Sequence, residues 1–95
     1  MFNKVATVTS LDNYILLVVF ENGTSKKYDI KPLFNKWDTF KSLTNQQGLY
    51  ELVKVDVGGF GISWNDDIDL SCNELWNNGV EQQSSVNRRE IIQMQ

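Results

Sequence analysis

The spacing of hydrophobic positions changes several times along this chain, and each change marks a new element. Residues 5–9 (VATVT) are β-branched and alternate, which predicts a strand. Leu11, Asp12 and Asn13 supply turn residues. Residues 14–20 (YILLVVF) are continuously apolar, the pattern of a strand covered on both faces. Asn22-Gly23 follows, and both residues tolerate positive φ, as a type I′ hairpin turn requires. Residues 24–30 (TSKKYDI) return as a more polar strand, whose lysines suit a sheet edge.

The period then lengthens. Pro32 fits the first turn of a helix, where its missing N–H is not needed. Leu33, Phe34, Trp37, Phe40 and Leu43 recur at three- and four-residue spacing and form one apolar helical stripe. The stripe fits one bent helix or two short ones, with Asp38 as cap of the second. Residues 49–57 (LYELVKVDV) alternate again and predict a strand, closed by a tight turn at Gly58-Gly59. Residues 60–64 (FGISW) place Phe60, Ile62 and Trp64 on one face, with small residues opposite that leave room for a helix, a partner or a ligand. Together these elements predict an α+β fold: about five mostly antiparallel strands in hairpins, with short helices packed on the sheet. Residues 1–80 read as a single domain, and residues 81–95 as a polar tail, disordered or a short helix.

Composition narrows the function classes. The net charge is −3, with a pI of about 4.7, and the only basic clusters are Lys26-Lys27 and Arg88-Arg89. Phosphate neutralisation leaves a basic footprint, so direct nucleic-acid binding by the monomer is not expected. No apolar run approaches the ~18 residues of a membrane span. The lone Cys72 has no internal disulfide partner, which fits a reducing compartment and a cytoplasmic location.

The densest polar cluster is WNDDIDLSCNELW, residues 64–76. As a calcium loop starting at Asp67 it fails where such loops are strictest, with Cys72 in the glycine position and Asn78 in place of the last glutamate. Zinc needs about four His or Cys ligands, and the chain has no histidine and one cysteine. The same lack of histidine removes Ser-His and Cys-His nucleophiles. A structural reading covers more of these residues. Ser71 and Glu74 have capping-box spacing, and Leu70 and Leu75 have the spacing of a hydrophobic staple. Gly79 then supplies positive φ at a helix end, for a helix over 72–78. Asp69 puts negative charge near the helix start, and Asn65-Asp66-Asp67 form the turn out of the preceding strand. Cys72 reads as a small buried hydrophobe.

Taken together, VFENGTSKKYDIKPLF, VDVGGFGISW and DIDLSCNELW resemble the domain of unknown function 2442 family of small bacterial proteins. The match rests on the order of Phe20, Asn22-Gly23, Tyr28-Asp29-Ile30, Pro32-Leu33, Gly58-Gly59, Ile62, Trp64 and Asp69-Leu70, and it spans about residues 5–76. The resemblance implies a small α+β domain with no established activity or cofactor. It also implies a gene pairing with a second small protein, of toxin–antitoxin-like kind. Some relatives add a C-terminal helix-turn-helix, for which the residues after the matched stretch are too few. Where the family often has Pro and Gly after the tryptophan, this chain has Asn65 and Asp67.

The expectation is therefore a non-enzymatic interaction module with no cofactor or metal, acting through a protein partner or as a homodimer. Its candidate contact residues are Trp37, Tyr50, Phe60, Trp64, Asp69 and Trp76, since aromatics carry interface energy disproportionately. Two rivals make different demands. A carboxylate-dependent, metal-using hydrolase needs Asp66, Asp67 and Asp69, with Asp56, to converge in a pocket. An accessory subunit in transcriptional regulation needs a partner that supplies the basic surface.

Overall fold

A computed structural model describes residues 2–82. It contains two antiparallel sheets and three short helices, an α+β fold with seven strands where the sequence pattern suggested about five. The first sheet has the order β1-β2-β3-β7, from β1 (Val5–Leu11), β2 (Ile15–Phe20), β3 (Ser25–Asp29) and β7 (Val80–Glu81). The second has the order β4-β5-β6, from β4 (Lys54–Val55), β5 (Gly61–Asn65) and β6 (Ile68–Ser71). The helices are α1 (Lys31–Lys36), α2 (Ser42–Asn45) and α3 (Cys72–Asn78). None is long and apolar enough among the described residues to cross a membrane. The predicted tail lies outside the described residues from position 83 onward.

The apolar run of β2 is covered on one face only. Leu16, Val18 and Phe20 are buried, while Ile15, Leu17 and Val19 between them stay half-exposed. The reason is layering: the helices and the second sheet pack on a single face of this sheet, so the odd-numbered side chains have no second layer above them. The buried face continues through Val5 and Tyr28, and meets Ile30, Phe40, Leu43, Ile62, Trp64, Ile68, Cys72 and Leu75 in one core.

The β2–β3 turn differs from the type I′ expectation. Only Gly23 has positive φ, at 92°, and Asn22 does not. Gly23 N–H donates to the Phe20 carbonyl at 2.9 Å and Phe20 N–H to the Thr24 carbonyl at 2.8 Å. This is a three-residue loop closed by a glycine bulge. The Asn22 side chain instead accepts from Thr24 N–H at 3.0 Å.

The helical stripe breaks into pieces at Trp37, which is extended at φ −133° and ψ 116°. A 3-10 turn (Asp38–Lys41) then leads into α2. Asp38 sits inside that turn and makes no side-chain cap. Leu33, Phe40 and Leu43 still face the core, so the stripe located the buried face although the helix is not continuous.

Residues 49–57 were expected to form a strand, but only Lys54–Val55 do so. Tyr50–Leu52 form a 3-10 turn because Tyr50 points inward. Its hydroxyl donates toward two carbonyls, Leu11 at 2.6 Å and Ile15 at 2.9 Å, while its own carbonyl accepts from Trp64 Nε1–H at 2.9 Å. These long-range bonds override local strand propensity. The turn at Gly58-Gly59 is as expected, with φ of 85° and 79°.

Candidate functional site

The aspartate-rich segment is a hairpin turn. Asn65 Oδ1 accepts from Asp67 N–H at 2.9 Å and Ile68 N–H at 3.0 Å, which folds the chain between β5 and β6. Between this turn and the helix lies β6, which the local pattern does not signal; its four residues bury only Ile68 and pair across to β5. Asp69 lies on that strand opposite Ser63. Asp66, Asp67 and Asp69 are all exposed. Asp56 accepts from the Ser63 hydroxyl at 2.6 Å. Among the described residues, no three His, Cys, Asp or Glu side chains are placed to hold a metal ion.

Half of the expected capping box forms at the start of α3, since the Glu74 carboxylate accepts from Tyr28 and Asn78, and the end of the helix differs from the expectation. Ser71 Oγ accepts from Glu74 N–H at 3.1 Å, and Cys72 is buried. Gly79, however, is extended at φ −74°. A Cβ there would sit 2.5 Å from the Leu75 carbonyl oxygen and 3.1 Å from Lys26 Cβ. The last turn of α3 itself, with Lys26 of β3 alongside, and not positive φ, leaves no room for a side chain at this position. Gly61 is occupied in the same way: a Cβ would meet the Leu70 carbonyl oxygen at 2.5 Å, so the space beside it belongs to β6 and not to a ligand.

The six candidate contact residues separate into three groups. Tyr50 and Trp64 are buried core residues joined by a hydrogen bond. Trp76 is half-buried, edge-on to Phe20 with centroids 4.9 Å apart, and the Lys26 ammonium sits 4.1 Å over its ring. Trp37, Phe60 and Asp69 are exposed. Phe60 was expected to share a face with Ile62 and Trp64. It precedes the strand and turns outward instead, 48% exposed. Its ring stands edge-on to Phe2, 5.5 Å between centroids, with the Lys4 ammonium 4.9 Å from it. Phe2 is 55% exposed, and Val57, three residues before Phe60, is fully so.

A second feature has no counterpart in the sequence reading. A groove of about 930 Å³ runs between α1, the end of β3 and α3, within the size range of ligand and peptide sites. Ile15, Pro32, Leu33 and Val80 supply apolar surface. On the opposite wall, Tyr28 Oη–H donates to Glu74 Oε2 at 2.7 Å, and Asn78 Nδ2–H donates to the same oxygen at 2.9 Å. Burial first, then the neighbouring Glu74 carboxylate, pushes the Tyr28 phenol well above its ordinary pKa, so it stays a donor. At the rim, burial pushes the Asp29 carboxyl up. The side-chain hydrogen bond, backbone N–H and charge of Lys31 together outweigh this and hold it below its usual range. Capping-box spacing flagged Glu74, but nothing local pairs it with Tyr28, forty-six residues away.

The chain matches the family described as Protein of unknown function (DUF2442) over residues 5–81. That stretch is most of its length, and the chain belongs to this family. No curated protein and no solved structure matches it.

Proposed function

We propose, with membership of this family as the premise, that the chain is a small non-enzymatic interaction module that acts on a protein partner, of the kind encoded by a toxin–antitoxin-like gene pair. The observation that carries this reading is the apolar end formed by Phe2 and Phe60, with Val57 three residues before Phe60. These are three large hydrophobic side chains about half-exposed or more in one small domain. Exposed aromatics of this kind supply hot-spot energy when a partner covers them, and Lys4 beside the Phe60 ring adds a polar rim. The same face on a second copy is the homodimer form of the reading.

The dispersal of Asp66, Asp67 and Asp69 into solvent supports this reading over a carboxylate-dependent hydrolase, which needs converging groups with shifted pKa values. The test is an affinity pull-down of the tagged chain from its own host, wild type beside Phe60→Ala. One stoichiometric protein recovered with wild type and lost with the variant supports the module. Recovery of the same protein by both removes this face from the account. Sedimentation of the purified chain reports the homodimer directly.

A further inference from the structure

The groove between α1, β3 and α3 carries chemistry of its own. In the β2–β3 hairpin, Phe20 bonds Thr24 and Ile30 N–H donates to the Tyr14 carbonyl at 3.1 Å. Antiparallel alternation therefore turns the backbone of Tyr28 toward β2 and that of Asp29 the other way. On that outer edge, Gln82 N–H donates to the Ser25 carbonyl at 2.8 Å, and β7 pairs as far as Val80 opposite Lys27. The next outward-facing residue is Asp29, and no strand residue stands opposite it because the chain there is α3. Its N–H and C=O thus open into the groove beside Asn78.

Glu74 adds a second unmatched group. Both donors that reach it, among the described residues, take Oε2, which leaves Oε1 as acceptor capacity on a half-buried carboxylate. Lys27 and Lys36 also line the groove, but both are exposed at its rim, where water screens them. Asp12 at the rim is equally exposed and equally screened, and Asp29 is already paired with Lys31, so the half-buried Glu74 carboxylate is the charge in the groove that water screens least.

We propose that this groove binds an extended peptide segment of a protein partner in which a basic residue, arginine or lysine, is flanked by aliphatic ones. The basic side chain pairs with Glu74 Oε1, the peptide backbone bonds the open edge at Asp29, and the aliphatic side chains cover Ile15, Pro32 and Val80. This is strand addition by a single bridge, with charge complementarity choosing the sequence. It shares the partner-binding premise of the proposed function but sits on a different surface from Phe60.

The test titrates isotope-labelled full-length chain with two synthetic peptides, acetyl-Leu-Arg-Val-amide and acetyl-Leu-Glu-Val-amide, followed by amide NMR shifts and hydrogen exchange. The arginine peptide is expected to move the Lys27, Asp29 and Asn78 signals, to slow exchange of the Asp29 amide, and to bind at least about tenfold tighter than the glutamate peptide, the value of one charge-assisted contact. Glu74→Gln keeps the Tyr28 and Asn78 contacts in shape and is expected to remove that preference. Equal binding of the two peptides overturns the proposal, as does no shift in the groove at millimolar peptide. Asp29 protection is read on the unmodified chain, so a misfolded variant does not blur the result. A host partner that survives Glu74→Gln but is lost with Phe60→Ala would sink the groove and leave the interaction module standing.

Discussion

Replacing Tyr50 by phenylalanine removes one oxygen and tests how the two halves of the domain are joined. Tyr50 comes from the 3-10 turn before β4, yet its hydroxyl faces the carbonyls of Leu11 and Ile15, at the two ends of the β1–β2 connection. That connection is itself unusual, because Asn13 and Tyr14 both have positive φ, at 63° and 57°. The hydroxyl has one proton for two carbonyls. Its loss forfeits a net hydrogen bond of about 0.5–1.5 kcal/mol and leaves acceptors that water reaches only in part. The expected cost is about 1–2 kcal/mol, a melting temperature lower by roughly 5–15 °C for a domain of this size.

The same residue sets a pH dependence. Burial pushes the Tyr50 phenol from 10.0 up to about 12, with the nearby Glu51 and Asp12 carboxylates adding to it. A raised folded-state pKa means that the folded chain holds its proton after the unfolded chain has released it. The stabilisation is therefore complete below pH 10 and is lost as pH rises toward 12. Partial access of water to the hydroxyl reduces the effect below its full conversion, to about 1–2 kcal/mol. Urea unfolding at a series of pH values reads both effects. Wild type should lose stability more steeply than Tyr50→Phe across that window, while Tyr28 contributes a similar alkaline loss to both. A variant as stable as wild type at neutral pH, or equally steep above pH 10, would refute the reasoning.

Three further outcomes follow from the geometry. Gly61→Ala should destabilise by about 1–3 kcal/mol, because the new methyl meets backbone of β6 and not a movable side chain; a denaturation midpoint equal to wild type would contradict the close approach. Ser71→Ala should cost about 1 kcal/mol through loss of the bond to Glu74 N–H, and Ser71→Gly less, as read by thermal melting. Asp67→Asn, at an exposed turn position, should change stability by less than about 0.5 kcal/mol, and calorimetric titration with calcium or magnesium should give no heat in either form.

What the sequence determined by itself is the set of local choices. Alternation in residues 5–9 and the punctuation at Asn22-Gly23 and Gly58-Gly59 placed strands and turns, because side-chain period and backbone freedom are properties of neighbouring residues. The capping pair Ser71–Glu74 and the Asx turn at Asn65 depend on groups within three residues of each other, and both were readable. The family pattern was legible for the same reason, since it consists of short motifs in fixed order.

Tertiary structure decided what depends on distant partners. Tyr50 sits in a turn and not in a strand because two carbonyls from another hairpin hold its hydroxyl. Gly61 is glycine because the backbone of β6 comes too close for a side chain. Residues 14–20 are apolar throughout, yet only packing shows which face is covered. The groove exists because β7 begins only at Val80 and α3 carries Glu74 to Tyr28. No period in the chain encodes that meeting; it results from how the two sheets and the helices close on one core.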